Sequence, residues 1–290
     1  MNPASAATLE TIAVVGAGTM GHGIAQTAIA SGFRVTLCDT QKEALERGVE
    51  TIRAGLDHAA ERGRLTAGDP KTVLALLETT LDLRRAAATA DLVIEAVPER
   101  LDLKREVLAA VEAAARPGCL LASNTSSLRL TTLAEGRLRP ERLLGMHFFN
   151  PVPVMALLEI VVHPKTAPET LAAARAVGER MGKTCIVVHD APGFASSRLG
   201  LALGLEAIRM VEQGVASPQD IDTAMELGYR HPMGPLRLTD LIGLDVRLDI
   251  ALALHRELLT ETFRPPQLLV DMVRQGRLGK KSGRGFYEWT

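Results

Sequence analysis

The chain has 290 residues, 47% of them hydrophobic and 23% charged, with a formal net charge of -1. That length exceeds one average domain and favours two, and the composition is too apolar for a disordered chain. So balanced a charge gives no long-range field to attract nucleic acid or an anionic membrane, which argues against both as partners.

Residues 1–10 are small and polar, without the positive charge and apolar run of a secretory signal, and no apolar stretch is long enough to cross a bilayer. Cys38, Cys119 and Cys185 lie far apart, with neither CxxC spacing nor a neighbouring histidine cluster. They are read as reduced and buried rather than as metal ligands, in a protein of the cytoplasm.

Thr11–Val15 is a short β-branched run ending in Gly16, residues 24–30 read as a helix stopping near Gly32, and residues 33–38 form a second apolar run. This is the size of a right-handed crossover between parallel strands. Further apolar runs at 92–97, 120–122 and Leu143–Phe148 alternate with helical patterns such as 104–115. That alternation predicts a parallel sheet with helices on both faces. Residues 41–77 are helix-rich and interrupted at Gly63 and Gly68, so they read as a helical excursion able to project from the sheet. After Pro151 and Pro153, Leu157–Val162, a helix at 168–181 and a run at 184–188 complete the sheet. Ala191-Pro192-Gly193 marks a boundary, and from Phe194 helical patterns dominate at 199–213, 219–227, 235–259 and 266–274. The expected architecture is α/β: a Rossmann-type, mostly parallel sheet domain over 1–190, then an all-α domain over 191–290. About a hundred helical residues make a thin core, which invites packing against a second copy.

Gly16-Ala17-Gly18-Thr19-Met20-Gly21 fits the dinucleotide pattern in its required setting, after a strand and opening a helix. The first glycine permits the tight turn, the second lets backbone amides approach a pyrophosphate, and the third lets helix and sheet pack closely. Asp39 ends the second strand, where a carboxylate accepts hydrogen bonds from ribose hydroxyls and repels a 2′-phosphate, favouring NAD over NADP. Without that context the same residues would be a glycine turn and a capping aspartate. His147 lies at the carboxyl end of a strand, where ligands bind in open parallel sheets, and the chain turning at the prolines brings Glu159 back towards it. Imidazole braced by carboxylate suits a dehydrogenase, which must take an alcohol proton as hydride leaves. By residue type alone, a strand-end histidine is more often a satisfied core residue. Ser123-Asn124-Thr125-Ser126-Ser127 also follows a strand and reads either as site hydroxyls or as a capping or ST-turn cluster starting the next helix. Glu95-Ala96-Val97-Pro98-Glu99 ends another and reads equally as a solvated loop. No HExxH or GxSxG occurs, which discounts metal and hydrolase chemistry.

Taken together these motifs resemble the 3-hydroxyacyl-CoA dehydrogenase family nearly end to end. The matches continue through Tyr229-Arg230-His231-Pro232-Met233-Gly234-Pro235, Asp240-Leu241-Ile242-Gly243-Leu244-Asp245 and Gly279-Lys280-Lys281-Ser282-Gly283-Arg284-Gly285-Phe286-Tyr287. The resemblance implies that His147 is the general base with Glu159 its partner, and that Ser126 and Asn150 hydrogen-bond the reacting oxygen. It implies that Glu99 and Lys104 approach the nicotinamide half of NAD. An acyl-CoA substrate would lie between the two domains, partly against residues 41–77, with Lys42, Arg47, Arg53, Arg62 and Arg64 as candidate phosphate contacts. The family suggests a homodimer through the C-terminal domain. Where it usually reads Gly-Phe-x-x-Asn-Arg, this chain has Gly193-Phe194-Ala195-Ser196-Ser197-Arg198, so Ser197 replaces a substrate-contacting asparagine. A hydroxyl spans less distance and loses a donor or acceptor, implying altered substrate preference or reduced activity.

The expected reaction is interconversion of L-3-hydroxyacyl-CoA, such as 3-hydroxybutyryl-CoA, and 3-ketoacyl-CoA. Two other readings remain open: a dehydrogenase of a CoA-free hydroxy acid of sugar-acid or carnitine type, and a non-catalytic NADH-binding structural or sensor protein.

Overall fold

Eight strands, joined in the order β3-β2-β1-β4-β5-β6-β7-β8, form one sheet in the computed structural model, which describes residues 9–65 and 68–289. The reading of residues 1–10 as lacking a secretory signal therefore falls, for residues 1–8, outside the described residues. In chain order the strands are β1 (Thr11–Val15), β2 (Arg34–Cys38), β3 (Leu77–Thr80), β4 (Leu92–Glu95), β5 (Leu120–Ser123), β6 (Leu143–Phe148), β7 (Leu157–Val162) and β8 (Thr184–His189). All neighbours are parallel except β6 and β7. The innermost strands β1, β4, β5 and β6 are buried along almost their whole length, as continuous apolar runs covered on both faces must be.

The crossover helices in this half are α1 (Thr19–Ala30), α2 (Lys42–Glu61), α3 (Pro70–Leu74), α4 (Leu83–Ala88), α5 (Leu101–Ala114), α6 (Leu130–Ala134) and α7 (Pro168–Arg180). The excursion packs its apolar face on α1. Leu45, Ile52 and Leu56 on α2 and Val73 on α3 share one apolar cluster with Ile24, Ala28 and Ile29 on α1, and burying that stripe outweighs leaving it in water. β3 was not legible in the sequence, because Leu-Glu-Thr-Thr at a half-exposed edge carries no apolar run. Cys38 and Cys119 are buried as expected, but Cys185 is partly exposed, since β8 is the other edge strand and only half covered.

The chain divides after Asp190 into two compact units. The second contains α8 (Ser196–Glu212), α9 (Pro218–Thr223), α10 (Pro235–Ile242), α11 (Leu244–Leu258) and α12 (Gln267–Arg274) around a core that includes Leu201, Leu205, Ile208, Leu236, Leu244 and Leu254. Residues 235–259, which read as one helix, are two, broken at Gly243 with φ +107°. Among the described residues no helix is long and apolar enough to cross a membrane.

Two glycines set the turn that opens α1. Gly16 has φ +103°, and a Cβ there would stand 2.7 Å from the Ala96 carbonyl oxygen. A Cβ at Gly21 would stand 1.7 Å from the Gly16 carbonyl oxygen, so helix and turn touch without room for a methyl group. Gly21→Ala is expected to cost about 1–3 kcal/mol, the scale of overpacking a tight site, and to lower the urea midpoint of unfolding. An unchanged midpoint would show that the turn yields easily.

Candidate active site

In an open parallel sheet the crevice forms at the carboxyl edge where the strand order reverses, here between β2, β1 and β4. A cavity of about 750 Å³ lies there. Gly16, Gly18, Thr19 and Met20 line it from the glycine turn, Asp39 from the end of β2, and Glu99 and Lys104 from beyond β4. Ser126 lines it from beyond β5 and His147 from β6. Gly21 packs beneath the turn instead.

His147 and Glu159 are directly opposed residues of the antiparallel pair β6 and β7. Cross-strand neighbours on one face approach closely, and the Nδ1 to Oε2 distance is 2.7 Å. Glu159 is fully buried and His147 is 6% exposed, so the carboxylate depends on buried partners while the ring's open face belongs to the cavity. The Phe149 ring packs 4.5 Å from the imidazole, limiting its rotation.

The opposite wall is fixed by a buried ionic cluster. Glu95, read above as either a site residue or part of a solvated loop, is wholly buried. Its carboxylate accepts from Lys104 Nζ at 2.7 Å, the Val97 amide at 2.8 Å and the Ser123 hydroxyl at 2.6 Å. Lys104 is 1% exposed and also lies 3.2 Å from Glu99, so its ammonium holds the two glutamates together. Glu99 in turn accepts from the Thr125 and Ser127 hydroxyls and from the amides of Ser126 and Ser127. Three of the four hydroxyls of the 123–127 segment are therefore structural, leaving Ser126 facing the cavity. The segment does not cap α6, where Asp190 accepts from the Leu130 and Thr131 amides, but it does form hydroxyl turns: the Ser123 hydroxyl accepts from the Thr125 amide at 3.3 Å and the Thr125 hydroxyl from the Leu128 amide at 2.9 Å. The Asn124 side-chain oxygen accepts from the Phe148 amide at 2.9 Å and ties this loop to the end of β6. The sequence carried no sign of that bond, nor of the depth of Glu95.

Asp39 is held at the rim by the Ala17 amide at 2.7 Å and the Gln41 amide at 2.9 Å, leaving further lone pairs on both oxygens. Neighbouring Cys38 is no nucleophile, since burial and then the charge of Asp39 push its thiol up to about 11. The first turn of α1 has no side-chain cap, so its amides and the helix dipole face the cavity beside the glycine turn. That is the chemistry a pyrophosphate needs, and with a carboxylate at the end of β2 the residues present fit NAD.

Asn150 does not line this cavity. It lines a larger one of about 990 Å³ between α1, α2 and residues 150–154, where Arg62 and Arg64 also lie; Thr19 borders both. Of the other candidate phosphate contacts, Lys42 pairs with Glu46 and Arg53 with Glu50, both on the solvent side of α2. Ser197 belongs to the first turn of α8 in the second unit. Among the described residues no cluster of three or more acidic, histidine or cysteine side chains is placed to hold a metal ion.

Comparison with known proteins gives the family. Residues 11–191 match the NAD-binding domain of 3-hydroxyacyl-CoA dehydrogenase, and residues 193–289 match its C-terminal domain. The chain belongs to the 3-hydroxyacyl-CoA dehydrogenase family. A probable 3-hydroxybutyryl-CoA dehydrogenase of Bacillus subtilis is 46% identical over 281 residues, 97% of this chain and 98% of the relative. One from Deinococcus radiodurans is 45% identical over 95% of this chain and 99% of the relative. The crystal structure of an (S)-3-hydroxybutyryl-CoA dehydrogenase from Ralstonia eutropha superposes with a TM-score of 0.93 at 40% identity, covering 97% of this chain and 99% of that one.

Burial alone would raise the Glu99 carboxyl, but Lys104 and the donors of residues 125–127 outweigh it and hold the group below its ordinary value of 4.5. A carboxyl lowered on folding stabilises the native state above its unfolded pKa and loses that contribution as pH falls through the folded one. The stability advantage of wild type over Glu99→Gln is therefore expected at neutral pH and to shrink below about 4.5. Urea unfolding across that range checks it, and a difference undiminished in acid would remove Glu99 from the network.

Proposed function

We propose that the chain interconverts L-3-hydroxyacyl-CoA and 3-ketoacyl-CoA with NAD, acting on short acyl groups such as 3-hydroxybutyryl. The observation that carries the reading is the buried His147–Glu159 pair beside a cavity whose far end has a dinucleotide turn. NAD supplies the hydride acceptor when bound. A proton on His147 Nδ1 gives Glu159 its donor and puts the basic lone pair on Nε2, which takes the hydroxyl proton as C3 is oxidised. Glu159 then stabilises the imidazolium, and the reverse reduction uses the same groups. Ser126, lining the cofactor cavity, and Asn150, lining its neighbour, are the proposed donors to the reacting oxygen. Arg62 and Arg64 fit the role of phosphate contacts for the CoA moiety in the larger cavity.

Residues 1–190 serve on this reading as the cofactor domain and 191–290 as the substrate and dimerisation domain. Support for dimerisation comes from apolar side chains left in solvent on the second unit, among them Leu199 at 72% and Leu252 at 51% exposure. Such a surface is what a second copy would cover. The free thiols suit a reducing compartment, taken to be the cytoplasm.

His147→Gln is expected to lower turnover of acetoacetyl-CoA with NADH at least roughly a hundredfold, the scale of general-base catalysis, with NADH binding by fluorescence little changed. Undiminished turnover would refute the assignment. Mass measurement in solution is expected to give twice the chain mass of 31.1 kDa, and a monomer at all concentrations would exclude the dimer.

A further inference from the structure

Asn124 stands where three strands end, with a side-chain amide that the fold leaves half used. It is the first residue beyond β5, and its backbone amide donates to the Glu95 carbonyl at the end of β4 at 2.8 Å. Its side-chain oxygen accepts from the Phe148 amide at the end of β6 at 2.9 Å. On either side, Ser123 and Thr125 are wholly buried, the first bonded to Glu95 and the second to Glu99. Both neighbours and its own side chain therefore hold the residue in place.

The bond to Phe148 also decides which way the carboxamide faces. A backbone N–H can only donate, so the group turned towards it must be the oxygen, and the NH2 group is left on the other side. Among the described residues nothing accepts from Nδ2. Asn124 is only partly buried, and it lines the cavity of about 750 Å³ together with Ser126, His147 and Phe148. Two N–H donors are thus fixed beside the residue that follows His147. A serine hydroxyl can rotate away or act as an acceptor, whereas an amide clamped by its oxygen can do neither.

The next step rests on the reaction proposed above. In its reduction direction hydride forms the C–H bond at C3, the carbonyl π pair moves onto oxygen, and the proton comes from the His147 imidazolium. Charge gathers on that oxygen, and donors already in place stabilise it without reorganising. We propose that Asn124 is a catalytic residue whose Nδ2 donates to the C3 oxygen, in a bond that strengthens as the charge develops. It shares with His147 the task of holding that oxygen at the ends of β5 and β6.

Asn124→Asp separates this role from the anchoring one. Aspartate keeps an oxygen for the Phe148 amide and puts an acceptor where the donors stood. With acetoacetyl-CoA and NADH, kcat and kcat/KM are expected to fall together by roughly a hundredfold or more, the scale of removing one oxyanion donor, with KM little changed. The urea midpoint and NADH affinity by fluorescence are expected to stay near wild type. Asn124→Ala is expected to lose as much turnover and, with the Phe148 amide unpaired, to unfold at a lower midpoint. Wild-type kcat in Asn124→Asp makes the residue an anchor alone and overturns the proposal. A loss confined to NADH affinity assigns the donors to the nicotinamide and overturns it too. The chain has only three asparagines, so nitrogen-15 labelling of asparagine reads the side chain in wild type without any variant. The Nδ2 protons are expected to move downfield when acetoacetyl-CoA joins the enzyme with NAD, and signals that stay put, or that move fully with NAD alone, overturn the proposal even if neither variant folds. Wild type that reduces no acetoacetyl-CoA removes the dehydrogenase reading itself, whereas an active wild type with an active Asn124→Asp removes only this assignment.

Discussion

One antiparallel pairing in an otherwise parallel sheet governs the site. Because β7 returns beside β6, the residue opposite His147 is Glu159, and the two meet without either strand bending. Side chains alternate along a strand, so a slip of one residue would turn Glu159 to the other face and set Leu158 or Ile160 against the imidazole. The register is held by burial of Leu158, Ile160 and Val161, all inaccessible to solvent. A pair of ionisable groups in so dry a place is tolerable only while each satisfies the other, and the apolar neighbours keep them matched.

The remainder of the cavity depends on a second, separate set of bonds. Glu95 at the end of β4 draws in Lys104 from α5 and Ser123 from β5, and Glu99 gathers the backbone that follows. Asn124 then reaches β6. The ends of three neighbouring strands are thus joined by side chains as well as by the sheet ladder. The wall facing the glycine turn is consequently one hydrogen-bonded assembly.

Much of this was legible in the sequence, for physical reasons that differ from element to element. Buried central strands announce themselves as short, mostly apolar runs, which is why Thr11–Val15, Leu143–Phe148 and Leu157–Val162 have the bounds their composition implies. Edge strands do not, and β3 was invisible for that reason. Helix breaks at a single glycine are equally quiet, as Gly243 shows. In the site, residue types at strand ends pointed to the right edge of the sheet, but which hydroxyl faces solvent and which is spent on Glu99 depends on long-range geometry. Asn150 likewise sits one residue from the Pro151 turn, and only coordinates reveal which of two cavities it borders.

The two amides that grip Asp39 tie recognition of the sugar to the architecture of the loop. One belongs to Ala17, in the middle of the glycine turn, so the carboxylate that would read the ribose also staples the segment that would cradle the phosphates. Its rotamer is set in advance, and little freedom remains to be lost on association. Redesigning this protein for a phosphorylated dinucleotide is accordingly more than swapping one charge for another. Removing the acid would unfasten the loop, and a second substitution would have to restore that anchorage.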